Sequence, residues 1–125
     1  VVFSHRAAMD SVSRLDDCSM NTDIPDWNAE GMVLNEEMIL ITQTLKELRE
    51  IMSNYVGIVR SDLRLKRAMD RLEILHRETE EIYNKSILTR DICELRNLIA
   101  IAYLIIKMAS KRKESRGLHY SIDYR

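Results

Sequence analysis

The sequence has little of what builds strands, tight turns or metal cages. Three glycines and one proline are spread over 125 residues, too few to punctuate the short strands of a sandwich or barrel. The two cysteines, Cys18 and Cys93, form no Cys-x-x-Cys pair and lack a histidine at zinc spacing, so they read as free thiols in a reducing compartment. A formal net charge of −1 removes the global electrostatic ground for a nucleic-acid or anionic-membrane partner. The longest apolar run, residues 98–106, is about half of what a membrane-spanning helix needs. Val1-Val2-Phe3 carries neither the basic lead nor the cleavage pattern of a signal peptide, and a cytoplasmic location is expected. The glycines stand isolated at 31, 57 and 117, so no phosphate-cradling loop exists, and a nucleophile elbow and an HExxH pair are also missing. No catalytic, cofactor-binding or metal-ligating residue is expected.

What is present is helix-forming sequence. Hydrophobic residues make up 46% and charged residues 31%, a soluble and foldable balance. Leu, Ile, Met, Glu, Lys and Arg dominate the second half, all good helix formers. Val2, Phe3, Ala7, Ala8 and Val12 read as a short first helix, over residues 1–15. Residues 16–34 form an irregular linker with a run of turn formers, and Trp27 is expected to pin it by burying its ring on the helices. Met38, Ile41, Leu45, Leu48, Met52 and Tyr55 then alternate steps of three and four, one stripe of a second helix. Asn35 is its expected N-cap, and Gly57 is expected to close it in the left-handed conformation.

Ser61 is the expected N-cap of a third helix, whose stripe is Leu65, Ala68, Leu72, Leu75, Thr79 and Ile82. Glu73 with Arg77, and Glu81 with Lys85, are spaced to pair along its outer side. A fourth helix over 87–113 carries two seams: Leu88, Ile92, Leu95, Ile99, Ala102, Ile106 and Ala109, and opposite them Leu98, Ile101, Ile105 and Met108. A helix apolar on most of its circumference is one surrounded by protein, so it should be central. The fold expected is all-α: an antiparallel three-helix bundle, spectrin-like and up-down-up, over residues 35–125, preceded by the short helix and the linker.

Two patterns need weighing. Glu73-x-x-His76 has the spacing of di-iron carboxylate bundles, but such a site needs a second copy and two more inward carboxylates, so a solvated helix face accounts for it. Ser115-Arg116-Gly117-Leu118-His119-Tyr120 concentrates hydrogen-bonding cations, a hydroxyl and an aromatic around one glycine. Arg116, Gly117, His119 and Tyr120 read as an interdomain docking element, because a planar guanidinium suits carboxylates and backbone carbonyls.

At this tail the sequence resembles the L-aspartate oxidase branch of the succinate dehydrogenase and fumarate reductase flavoprotein family. The resemblance rests on residues 113–120 with Asp123-Tyr124, on Tyr55-Val56-Gly57-Ile58-Val59-Arg60-Ser61, on Glu94-Leu95-Arg96-Asn97-Leu98, and on the opening Val2-Phe3-Ser4-His5-Arg6-Ala7-Ala8. Ser53 stands where the pattern has Trp, and Arg125 where it has Pro. The resemblance implies FAD in an intact enzyme that oxidises L-aspartate to iminoaspartate in NAD biosynthesis. It implies that flavin and substrate are held by flavin-binding and capping domains of the same polypeptide, outside this chain. The chain itself would be an inactive helical buttress of the flavin domain, with no nucleic-acid or membrane partner. Two other readings stay open: a dicarboxylate dehydrogenase or fumarate reductase domain, and a free-standing helical interaction module.

Overall fold

The computed structural model describes residues 2–124, and Val1 and Arg125 lie outside them. Four α-helices account for most of the chain: α1 (Val2–Ser13), α2 (Met38–Tyr55), α3 (Asp62–Lys85) and α4 (Arg90–Lys111). A single 3₁₀ turn, Leu15–Asp17, follows α1, and two short strands, β1 (Val59–Arg60) and β2 (Tyr120–Ser121), pair in parallel. The sequence did not announce this pair, since two residues are too few to show a period.

Helices α2, α3 and α4 share one core, and α3 packs most extensively on α4. The stripes read from the sequence are the ones buried. Leu65, Ala68, Leu72, Leu75 and Thr79 of α3 face Ile92, Leu95, Ile99, Ala102, Ile106 and Ala109 of α4. From α2 come Ile41, Leu48 and Ile51, with Leu45, Met52 and Tyr55 half-buried beside them. Ile51 was outside the expected stripe, and Met38 at the first turn is exposed, so the buried face of α2 lies slightly round from the one expected. The caps of the longer helices form as their residues dictate: Ser61 Oγ accepts from Arg64 N at 3.2 Å, and Thr89 Oγ1 from Ile92 N at 3.4 Å. Asn35 Oδ1 accepts from Glu37 N at 3.0 Å, an Asx turn ahead of α2 rather than its cap, since the helix starts at Met38 and the cap position is Glu37.

Four further expectations are corrected. Gly57 does not adopt positive φ; α2 ends at Tyr55, the N–H of the following Val56 still donates to Met52 O, and the chain runs on into β1. A Cβ at Gly57 would stand 3.1 Å from Ser53 O, so close backbone approach, not handedness, favours glycine there. Trp27 keeps 62% of its surface exposed, because residues 18–29 run without regular structure and no helix lies over them. The Glu73–Arg77 and Glu81–Lys85 pairs are not formed among the described residues; α3 pairs Lys66 with Asp70, and its Glu80 reaches Arg96 of α4 instead. Finally, α4 is not enclosed. Of its second seam Leu98 is half-buried against the core, but Ile101, Ile105 and Met108 are exposed, because α2 and α3 cover only one side.

The linker is tied down at one point. Val33 N donates to Lys85 O at 3.1 Å and Val33 O accepts from Ile87 N at 2.9 Å, straddling the end of α3. Helix α1 buries no residue at all. No helix of the described residues is long and apolar enough to cross a membrane.

Candidate docking tail and its clasp

The C-terminal tail is held by polar groups rather than by a core. α4 stops at Arg112, where the backbone turns extended. Gly117 follows in the left-handed region at φ 58° and allows the chain to double back. Arg116 N donates to His119 O at 2.9 Å and His119 N returns a bond to Arg116 O at 3.1 Å, closing the turn. The reversed chain then lies along the α2–α3 connection: Tyr120 N donates to Ile58 O at 3.2 Å, and Ile122 N to Arg60 O at 2.9 Å.

Two side-chain clusters lock this contact. In the first, buried His119 places Nδ1 2.7 Å from Arg60 Nη1 and Nε2 3.3 Å from Arg112 O. A guanidinium can only donate, so Nδ1 must accept and Nε2 must carry the proton given to the carbonyl. Arg60 is held in turn by donating Nε to Gly57 O at 2.7 Å. Ser115 Oγ supports the same turn by accepting from Ser121 N at 3.0 Å and by bonding the Tyr124 carbonyl.

The second cluster is centred on Asp62 in the first turn of α3. Its carboxylate takes Lys113 Nζ at 2.9 Å and the Tyr124 hydroxyl at 2.6 Å, while Asp62 N donates to Asp123 Oδ2 at 2.6 Å. The Lys113 ammonium also stands 4.9 Å from the centre of the Tyr124 ring. The Tyr124 hydroxyl and then Lys113 hold the Asp62 carboxyl below the usual carboxylate range, and the Asp62 bond raises Lys113 above its ordinary value. Arg112 likewise lowers Glu114 by hydrogen bonding.

The four residues singled out in the tail therefore divide. Arg116 and Tyr120 point outward and are exposed, with the Arg116 side chain 80% accessible. His119 faces inward and Gly117 shapes the turn, so these two present the others. Arg60, Lys113 and Tyr124 stood in the sequence only as members of the blocks that carry the resemblance, and their pairing with His119 and Asp62 was not read there. Their partners are 51 to 62 residues apart, and no local period marks such a pairing.

Elsewhere the polar residues are dispersed. His76 Nδ1 lies 4.0 Å from Glu80 Oε1, Glu80 is engaged by Arg96, and no group of three or more potential metal ligands forms among the described residues. Arg96 also stacks 4.4 Å from the Tyr83 ring centre, tying α4 to α3.

Comparison with known proteins fits this architecture of helices and a polar tail. The family described as fumarate reductase flavoprotein C-term matches residues 45–125, which run from within α2 through the tail. The chain is 42% identical over 123 residues to an L-aspartate oxidase of Pseudomonas aeruginosa, covering 98% of this chain and 23% of that protein. It is 39% identical over 124 residues to an L-aspartate oxidase of Vibrio cholerae, covering 99% and 23% respectively. A chloroplastic L-aspartate oxidase of Arabidopsis thaliana is 34% identical over 139 aligned positions, 99% of this chain and 21% of the plant protein. The chain thus spans about a quarter of the length of these relatives. With the matched region taking in α3, α4, Arg60 and both clusters of the clasp, the chain belongs to the C-terminal domain family of the fumarate reductase flavoproteins.

Proposed function

We propose that the chain is the C-terminal helical domain of an FAD-dependent L-aspartate oxidase, and that it buttresses the flavin-binding domain without entering the chemistry. The observation that carries this is identity near 40% along almost the whole chain to proteins named L-aspartate oxidase. In the intact enzyme L-aspartate becomes iminoaspartate in a cytoplasmic route to NAD, and FAD supplies the hydride acceptor.

The apolar groove of this chain does not fit that cofactor. The groove between α3 and α4, about 390 Å³, is lined by Met69, Leu72, Ile99, Ala100 and Leu104, with Glu73, His76 and Tyr103 as its polar-bearing side chains. It offers no lysine, no arginine and no glycine-rich run of N–H groups for a diphosphate. Flavin and substrate therefore belong to the flavin-binding and capping domains preceding this region. Residues 1–15 are the terminal helix of the flavin-binding domain, 16–34 the linker, and 35–125 the bundle with its tail. Short connections between α2, α3 and α4 favour an antiparallel, up-down-up course. Arg116 and Tyr120, presented by Gly117 and His119, dock on the preceding domains.

The test uses the intact polypeptide, freed of oxygen. Its visible flavin band should bleach on adding L-aspartate and persist with succinate. Bleaching by succinate alone would move the protein to the dicarboxylate dehydrogenase branch, which the fumarate reductase family match favours as the second reading. Absence of a flavin band refutes both.

A further inference from the structure

The outer side of α4 changes character halfway along. Positions 90, 94, 97, 101, 104 and 108 recur at steps of three and four and lie on one stripe, turned away from the core residues Ile99, Ala102 and Ile106. Its first half is polar, with Arg90, Glu94 and Asn97. Its second half is Ile101, Leu104 and Met108, flanked by Ile105, and these four are between 42% and 65% exposed. A helix that ended its life in water would keep charge on this side throughout. The apolar half is also the half that runs into the tail bearing Arg116 and Tyr120.

Helix α1 has the same defect. It buries nothing, and Val2, Phe3, Met9 and Val12 are exposed. A second copy seated on α4 would leave α1 uncovered, whereas one body joined to α1 and lying against α4 would cover both. The relatives are more than four times as long as the segment they share with this chain, so they carry further polypeptide from which such a body can come.

From this placement we infer that Ile101, Leu104, Ile105 and Met108 form the docking face for the polypeptide that precedes this region. The inference deepens the buttress reading and rests on it in one respect only, that the chain is the C-terminal part of a longer protein. An apolar patch in the centre, with Arg116 and Tyr120 at its margin, has the usual anatomy of an interface.

Met108 supplies its own probe, because peroxide oxidises an accessible thioether and spares a covered one. The intact wild-type protein is treated with dilute hydrogen peroxide, and sulfoxide at Met108 is followed by peptide mass spectrometry, natively and in denaturant. Docking gives Met108 a native rate at least about tenfold below the denatured one, unchanged on dilution. A native rate within about twofold of the denatured one overturns the inference. Protection that disappears on dilution overturns it too, because a second copy would then be the occupant. The flavin band is recorded on the same sample: its absence would refute the oxidase reading while the Met108 comparison still reports on the face.

Discussion

Ile106 and Ile101 stand on opposite sides of one helix, and replacing each by alanine separates core from docking face. Ile106 is fully buried between α3 and α4, whereas Ile101 is 52% exposed. Removing the Ile106 side chain loses its transfer energy and leaves a cavity between two helices, at a cost of about 2–5 kcal/mol. Ile101→Ala in this 125-residue chain removes half-solvated atoms and leaves no cavity, so its effect should stay within about 0.5 kcal/mol. Urea unfolding followed by far-ultraviolet circular dichroism reads both. With a slope of about 1–3 kcal/mol per molar, the Ile106→Ala midpoint should fall by on the order of 1–3 M at unchanged slope. The Ile101→Ala midpoint should barely move in this chain, yet fall in the intact protein if that face is covered there. Equal losses at the two positions in this chain would refute the assignment of faces on α4.

Three further outcomes are expected. Because the Asp62 carboxyl is held below its ordinary value, its anchoring of the tail is complete above about pH 3.9 and is lost as pH falls through the lowered value. Lys113 is held above its ordinary value, so its share is complete below about pH 10.4 and is lost as pH rises beyond the raised value. Amide exchange of Tyr120 and Ile122, corrected for intrinsic rates, should show that plateau. Asp62→Asn should abolish the acid limb, and its survival would move the anchor to another carboxylate. Gly117→Ala should cost about 1–2 kcal/mol from handedness alone, since nothing lies within 4 Å of the added Cβ; a neutral result in thermal unfolding would contradict the left-handed turn. Thr79 is buried and its hydroxyl has no hydrogen-bond partner among the described residues, so Thr79→Val should stabilise by about 1 kcal/mol. A lowered urea midpoint would show that the hydroxyl is bonded.

The helices were legible because burial imposes a period, and a period is local. Leu65 to Thr79 and Ile92 to Ala109 could be read as stripes, and Ser61 as a cap, from spacing alone. The same rule misplaced α4: the seam of Ile101, Ile105 and Met108 is apolar in the sequence whether or not anything in this chain covers it. Trp27 failed for a related reason, since an aromatic in a linker does not say which surface, or whose, it will meet. Gly57 was misjudged because glycine serves both handedness and close approach, and composition cannot separate the two. Arg116 and Tyr120 could be noticed as dense polar chemistry in a short tail. The clasp beneath them could not, since Arg60–His119 and Asp62–Lys113–Tyr124 are joined only once the helices have folded the chain back.

Helix α3 is fastened at both ends by segments distant in sequence, but very unequally. The tail grips its first turn through ionic, aromatic and backbone links, while Val33 grips its far end through two backbone hydrogen bonds, one to Lys85 and one to Ile87 just beyond it. Any pull from the N-terminal side arrives through residues 18–32 and meets those two bonds before it meets the core. Under load, the linker should therefore peel from Lys85 and Ile87 as a mechanical fuse and lengthen the tether, leaving the three packed helices and their tail undisturbed.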